Sequence, residues 1–307
     1  VSLTGALARA SGADVGTTYA INQGSLATSA GSNYSIQYTG ANFAITARPI
    51  TITANAGQTK VYGDVDPGLT YSVEANAAGR GVYGSDTFSG GVVRATGNNV
   101  GLYAIGQGTL ANSNYAISFE PADFAITKAT LNATGTKVYD GLIDIAGANI
   151  AITGVGSETF SATGSATLQS KHVQTATLAD VVGLRYSGDN GALASNYFPL
   201  AVADTSVSVT VKSVTLTPST ALTKTYDGGR SYTTSLADLS AMSQQLVGGD
   251  QVVSATVLYS TAAAGNSKRV DLYAVAIDDG NAGRNYNVSL GYNKNGSIDK
   301  AQLTIAA

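Results

Sequence analysis

Short stretches of alternating apolar and polar residues run along most of the chain and predict β-strands. The alternation is clear in ITIT (50–53), YAISF (115–119) and SVSVTV (206–211), and it is the pattern of strands with one buried face. Turn-forming pairs such as Asn190-Gly191 and Asn295-Gly296 separate the stretches. The pattern predicts an all-β fold made of small antiparallel β-sandwich, immunoglobulin-like modules arranged as an elongated rod.

One segment departs from this alternation. The apolar spacing in SLADLSAMSQQL (235–246) is compatible with a short helix. That helix leaves open a second fold, in which each module is a mixed, β-grasp-like sheet.

A repeat of about eighty residues organises the chain. A basic residue leads into a short alternating strand at 48–54, 128–134, 212–218 and 300–306. We therefore predict a partial module at 1–47, full modules at 48–127, 128–211 and 212–299, and the first strand of a following module at 300–307.

Two further anchors recur in each module. A hexapeptide occurs as TKVYGD (59–64), TKVYDG (136–141) and TKTYDG (223–228). We expect its tyrosine to fill the module core with the hydroxyl at the edge, and the following Gly and Asp to form a tight turn. An Asn-Tyr pair before a later strand is expected to pin a corner of the sandwich. The predicted anchors are Tyr62, Tyr139, Tyr226, Asn33, Tyr34, Asn114, Tyr115, Asn196, Tyr197, Asn285 and Tyr286.

These motifs carry a family resemblance. The segment with KVYGDVDPGLTYSV (60–73) resembles the mostly-β, glycine-rich MBG domains, and the two later hexapeptides resemble the related YDG domains. The resemblance covers essentially the whole chain. It implies a stalk or adhesive region of a large bacterial surface adhesin, of the kind related to secreted haemagglutinins, and it supplies no catalytic residues.

Composition narrows the possible functions. The 307 residues contain no cysteine, only 12% are charged, and the net charge is −3. Disulfides, thiol chemistry and nucleic-acid binding are therefore not expected. No run of 18 apolar residues occurs, so no transmembrane helix is expected.

Candidate chemistry is sparse. The single histidine, His172, is expected to be an exposed strand residue, and without a nucleophile motif it does not indicate a hydrolase. Asp278 and Asp279 lie in a loop rich in Asp and Asn and are the candidate ligands for calcium, although Asx turns use the same residues. No other cofactor is expected.

A covalent brace between lysine and asparagine is a further alternative. Each full module has a hexapeptide lysine (Lys60, Lys137, Lys224) and an Asn-Tyr asparagine (Asn114, Asn196, Asn285). An intramolecular isopeptide bond between them requires a buried neighbouring acid. We favour an exposed lysine at a strand start and an asparagine at a turn, because buried lysine is rare.

The sequence thus indicates a non-enzymatic, extracellular structural protein of the bacterial cell surface, acting as spacer and in adhesion or biofilm formation. Its expected partners are neighbouring modules of the same long chain or identical subunits. Two alternatives remain: a glycan- or calcium-binding module that uses residues 278–284, and a filament subunit in which residues 300–307 complete the first module of the next copy by strand exchange.

Overall fold

A computed structural model describes residues 1–218 and 221–306. The chain forms two compact units, Val1–Lys128 and Ala129–Ala307. Both consist almost entirely of β-strands, which confirms the all-β prediction.

The first unit contains the partial module and the MBG-like module. Its strands are β1 (Leu3–Thr4), β2 (Ala8–Arg9), β3 (Thr18–Asn22), β4 (Ala27–Thr28), β5 (Ala41–Ala44), β6 (Arg48–Ala54), β7 (Thr59–Val61), β8 (Tyr71–Val73), β9 (Val93–Arg94), β10 (Gly101–Gly106), β11 (Tyr115–Glu120) and β12 (Ala122–Thr127). Strands β7, β12, β10 and β9 form one sheet in that order, and β11, β6 and β8 form another.

The second unit contains the two YDG-like modules. Its first module carries β13 (Asn132–Val138), β14 (Asp144–Ala146), β15 (Ile150–Thr153), β16 (Thr159–Leu168), β17 (Gln174–Ala176), β18 (Leu178–Asp180), β19 (Leu184–Gly188) and β20 (Thr205–Thr210). The second carries β21 (Lys212–Leu216), β22 (Thr223–Thr225), β23 (Ser231–Tyr232), α1 (Leu236–Ser243), β24 (Gln251–Tyr259), β25 (Gly265–Asp278), β26 (Tyr286–Leu290) and β27 (Tyr292–Asp299).

The sheets are mixed, which corrects the antiparallel arrangement expected of the sandwich modules and agrees with the mixed sheets of the alternative fold. In each full module the hexapeptide strand pairs in parallel with the last strand, as β7 with β12, β13 with β20 and β22 with β27. The first strand also meets the strand after the Asn-Tyr pair in parallel, as β6 with β11 and β21 with β26. Alternation of side chains specifies a half-buried strand but not the direction of its neighbour, so the sequence pattern did not reveal these pairings.

Hydrophobic side chains form separate clusters in the modules. In the MBG-like module Phe124, Ile105 and Ile126 are almost completely buried. In the last module Tyr259 and Val270 lie in a cluster that also includes Met242 of α1. The MBG-like module and the last module thus each bury apolar side chains of their own, as expected of a repeat protein whose stability is close to a sum over modules.

The short helix predicted at 235–246 is present as α1. Ser235 caps it, since its hydroxyl accepts from the Asp238 backbone N–H at 3.2 Å while the Asp238 carboxylate accepts from the Ser235 N–H at 2.8 Å. This reciprocal capping box satisfies two backbone donors at the helix start. In the described residues, no helix has the length and apolar character needed to cross a membrane.

Candidate functional site

The hexapeptide lysines hold the turn that follows them. Lys137 Nζ donates to the carbonyls of Leu142 (3.2 Å) and Asp144 (2.6 Å) and lies 2.7 Å from the Asp140 carboxylate. Lys224 repeats the arrangement with the Asp227 carboxylate at 2.7 Å. An ammonium group with three oxygen partners fixes the turn geometry and can remain charged at low exposure.

These lysines are more buried than the sequence suggested. The side chains of Lys60, Lys137 and Lys224 are only 9%, 6% and 11% exposed, so the expectation of an exposed lysine at a strand start is wrong. Burial is tolerated here because each ammonium has a carboxylate partner, Asp66 in the case of Lys60. The carboxylate and carbonyl partners explain the lysines without an isopeptide bond.

The tyrosine of the Asn-Tyr pair is held by an acidic turn in each full module. Its hydroxyl donates to a carboxylate and accepts a backbone N–H from the residue three positions before that acid. The pairs of contacts are Tyr115 with Asp86 (2.6 Å) and Tyr83 N–H (2.9 Å), Tyr197 with Glu158 (2.6 Å) and Val155 N–H (2.7 Å), and Tyr286 with Asp250 (2.7 Å) and Val247 N–H (3.0 Å).

Sequence reasoning missed this acidic turn, although a signal for it exists. The segments read YGSD (83–86), VGSE (155–158) and VGGD (247–250). The second residue of each is a glycine with φ between 58° and 65°, a conformation that favours glycine. In each turn the N–H of the acid bonds to the carbonyl three residues earlier. A four-residue motif of small, variable residues is easily overlooked beside the longer hexapeptide.

Within the second unit, the two YDG-like modules meet at a cluster that we call the joint. Tyr139, the hexapeptide tyrosine of the first module, donates its hydroxyl to Asp250 of the second module at 2.9 Å. The same carboxylate oxygen accepts the Tyr286 hydroxyl, and the two aromatic rings pack edge to face at 5.5 Å between centroids. Lys171 Nζ lies 3.5 Å from the other Asp250 oxygen. Tyr139 is therefore fully buried between modules, where its hydroxyl reaches a carboxylate of the neighbouring module.

Asn285 forms the second half of the joint. Its Oδ1 accepts from the Val173 backbone N–H at 3.0 Å and from Asn281 Nδ2 at 2.9 Å. These donors orient the amide, so Nδ2 points to Nδ1 of His172 at 3.0 Å and that nitrogen accepts the bond. His172 is therefore a partly buried residue of the joint and lies in a bend, which corrects its assignment as an exposed strand residue.

The same asparagine position joins modules in the first unit. Oδ1 of Asn114 accepts from the Val15 backbone N–H at 3.0 Å, so a residue of the MBG-like module binds the partial module. In both modules the asparagine carbonyl also accepts the N–H of the first strand, from Arg48 to Asn114 and from Lys212 to Asn285. One residue thus starts the parallel pair of its own module and binds the preceding module.

The structure places the other predicted anchors in different surroundings. Tyr62 packs against the core of the MBG-like module, and Asn196 is buried. Asn33 is exposed in a short 3₁₀ turn, and Tyr34 and Tyr226 are 59% and 46% exposed. The expectation that every hexapeptide tyrosine fills a core is therefore wrong for Tyr226. A motif specifies the turn but not whether another module covers it.

Hydrogen bonds within the acidic loop at 276–285 fix its conformation. Oδ1 of Asp279 accepts backbone N–H groups of Asn281 and Gly283, both at 2.8 Å, and Oδ2 accepts that of Asn285 at 3.0 Å. Burial of the Asp279 carboxyl opposes its ionisation, but these backbone donors outweigh burial and lower the pKa. Asp278 accepts a longer bond from Gly280 N–H, 3.4 Å. The geometry is that of an Asx turn that positions Asn285 for the joint.

We expect calcium to leave the protein unchanged. Both oxygens of Asp279 are already engaged, and among the residues described no group of three or more His, Cys, Asp or Glu side chains is arranged to hold a metal ion. A ligand that binds only the folded state raises the melting temperature. Melting curves in excess calcium and in a chelator should therefore coincide, and a rise with calcium that is lost in Asp278→Asn would support the calcium site.

Alkaline pH is expected to destabilise the joint. Burial and the hydrogen bond to Asp250 raise the pKa of Tyr139 and Tyr286, and burial raises that of Tyr259 in the module core to about 12. Unfolded tyrosine ionises near pH 10, so above that pH only the unfolded state loses these protons and unfolding is favoured. The stabilisation is complete below about pH 10 and declines as the pH rises further.

Denaturant midpoints measured between pH 8 and 12, together with tyrosinate absorbance, check this expectation. Tyr139→Phe should weaken the alkaline dependence. Tyr226→Phe removes the hydroxyl at the same motif position where it is largely exposed, and it serves as the control. An equal effect of both substitutions would contradict the assignment.

The fold and the joint define a class of protein, namely a tandem array of small β-modules linked by recurring polar contacts. Family models match in the same order. A model described as MBG domain (YGX type) matches residues 50–125, and one described as YDG domain matches residues 120–206 and 210–295. The chain belongs to the YDG domain family and carries an MBG domain ahead of its two YDG domains. No curated protein sequence matches the chain. MBG and YDG domains occur in adhesin-like surface proteins.

Proposed function

We propose that this chain is a non-enzymatic stalk region of a bacterial extracellular adhesin, in which the modules act as spacers of fixed orientation at the cell surface. The observation that carries the proposal is the reuse of one asparagine position, Asn114 and Asn285, to bind the preceding module. A protein that needs only flexible tethering does not require a specific side chain at each connection.

The chemistry of the joint supports a mechanical function. Asp250 is 7% exposed and accepts two phenol hydroxyls while a lysine balances its charge. A buried polar network of this kind has few alternative arrangements, because each misaligned partner leaves an unsatisfied group. The joint therefore favours one orientation of the two modules.

The backbone at the joint adds a steric constraint. A Cβ atom added to Gly141 would overlap the Cα of Gly248, and a Cβ at Gly248 would overlap Gly141 in the same way. The hexapeptide turn and the acidic turn are thus in direct van der Waals contact, which limits sliding of one module on the other.

Distance distributions between spin labels test this function in the intact chain. Because the chain has no cysteine, Ala151→Cys and Ser254→Cys place one label on an exposed strand position of each YDG domain. A narrow distribution is expected, and combining Asn285→Ala with Asp250→Ala should broaden it. A broad distribution before any joint substitution would indicate a flexible linker and would overturn the proposal.

A binding assay separates the spacer from a ligand-binding module. The chain and a variant with Asp278→Ala and Arg284→Ala are applied to an array of surface glycans. The spacer function predicts equal, background signals for both. A signal that the variant loses would favour glycan recognition by residues 278–284 instead.

A further inference from the structure

The last YDG domain carries an uncovered copy of the surface that forms the joint. Tyr226 N–H bonds to the carbonyl of Asp299 at 2.8 Å, as Tyr139 N–H bonds to that of Thr210 at 2.8 Å. In both domains the hexapeptide strand lies parallel to the closing strand and the lysine holds the same turn. The two hexapeptides are therefore built alike up to the tyrosine side chain.

Their surroundings beyond that point differ completely. Tyr139 is fully buried against the next domain, whereas Tyr226 is 46% exposed. Gly141 touches Gly248, whereas a Cβ at Gly228 would meet no atom of the described residues within 4 Å. The φ angles of the two glycines are 81° and 79°, so the turn itself is the same. Within the part of the chain that the structure describes, the two tyrosines therefore differ in how far they are covered and not in their backbone.

The segment after Asp299 shows the same deficit. Leu303 and Ile305 follow the closing residue Asp299 by four and six positions, as Val214 and Leu216 follow Thr210. Leu216 is fully buried by its own domain, while Leu303 and Ile305 are 86% and 85% exposed. Tyr226 thus lacks the cover that Tyr139 receives at the joint, and residues 301–306 lack the cover that β21 receives from the domain it begins.

We propose that Tyr226, Gly228 and residues 301–306 form a docking surface for another β-domain of the MBG or YDG type. The inference rests on the proposed stalk function. The partner is defined by its chemistry: an acidic turn of the form Gly-[Ser/Gly]-[Asp/Glu], whose carboxylate accepts the Tyr226 hydroxyl, and an Asn-Tyr pair followed by a strand. That strand pairs in parallel with residues 301–306, as β26 pairs with β21.

The contacts in the existing joint predict those between the docking surface and its partner. The acidic turn packs on Gly228 as residues 247–250 pack on Gly141. The partner's tyrosine packs edge to face on Tyr226, and its carboxylate takes both hydroxyls, as Asp250 does. An apolar residue in place of the acid removes the acceptor that the two phenol hydroxyls share, and an amide in its place accepts only weaker, uncharged hydrogen bonds; both changes disfavour other β-domains.

A lengthened chain tests the proposal. Residues 1–307 are followed by a second copy of residues 219–307, so that residues 301–306 take the place of β21 in the added domain and Tyr226 of the original domain faces Asp250 of the added one. The added copy carries Tyr226→Phe, which makes the original Tyr226 identifiable by peptide mass. Both proteins are nitrated with tetranitromethane, and modification of Tyr226 is followed by mass spectrometry.

Nitration of Tyr226 is expected to slow by about tenfold or more in the lengthened chain, because a covered group reacts only through transient opening. Asp250→Asn in the added copy should restore much of the rate. Equal rates in the two proteins would overturn the proposal. The peptide that contains Tyr259 has the same mass in both copies, so its full protection from nitration reports that the added copy is folded as well as the original. Loss of that protection also counts against the proposal, because the same sequence folds beside Tyr139.

Gly228→Ala gives an independent readout. In the original chain it should lower the denaturation midpoint only by the cost of the backbone conformation, whereas in the lengthened chain it should lower the midpoint as strongly as Gly141→Ala does. An effect of equal size in both chains would contradict docking at Gly228. Neither result depends on the label distances between residues 151 and 254, so failure of this inference is distinguishable from failure of the proposed function.

Discussion

Replacing Gly141 by alanine is expected to destabilise the second unit by about 2–5 kcal/mol. A positive φ costs a residue with a Cβ about 1–2 kcal/mol, and forcing an atom into a packed contact costs about 1–3 kcal/mol more. The new methyl group would overlap the backbone of Gly248, which has no flexible side chain that could move aside. The joint must therefore open or shift.

Gly228→Ala is the matched control for this prediction. It lies at the same motif position with the same φ but has open space around it, so it should cost only about 1–2 kcal/mol for the backbone conformation. Denaturant unfolding of both variants, followed by hydrogen exchange at residues 247–250, measures the difference. If the two substitutions are equally costly, the close contact between the two turns is not a source of stability.

Asp250→Ala is the second substitution with a large expected effect. It should lower the free energy of unfolding by about 2–4 kcal/mol. It removes the carboxylate that accepts the buried hydroxyls of Tyr139 and Tyr286 and that balances the charge of Lys171. Tyr286 keeps only a longer bond to the Val247 carbonyl, 3.3 Å. Because Lys171 keeps 30% of its side-chain exposure, water relieves part of its penalty. Hydrogen exchange should accelerate on both sides of the joint, including the hexapeptide of the preceding domain.

Asp86→Ala provides the comparison within the same chain. Asp86 has the same position in the acidic turn of the MBG domain and accepts the Tyr115 hydroxyl. Asp86 is exposed. Losing its one hydrogen bond to Tyr115 should therefore lower the free energy of unfolding by about 1 kcal/mol. A loss for Asp250→Ala no larger than that for Asp86→Ala would mean that the shared carboxylate does not stabilise the joint.

The repeat made much of this architecture predictable. The fixed order of hexapeptide, Asn-Tyr pair and leading strand indicated tandem β-modules, because only a structural unit needs the same corner in each copy. The helix α1 was also predictable from the apolar spacing of residues 235–246. These features are local, so a single sequence contains the information that specifies them.

The direction of strand pairing and the acidic turn were not predictable in this way. Parallel pairing of β13 with β20 joins residues more than seventy positions apart, and alternation is the same for parallel and antiparallel neighbours. The acidic turn consists of small residues whose importance appears only when Tyr197 or Tyr286 is seen to bind it.

The sequence by itself determined the module, its corner turns and its family, since these depend on residues close together along the chain. Only the tertiary structure decided what each anchor contacts. Tyr139 and Tyr226 stand in nearly the same hexapeptide, yet one is buried and the other is exposed. Burial depends on which surface another part of the chain covers, and a motif does not encode that surface.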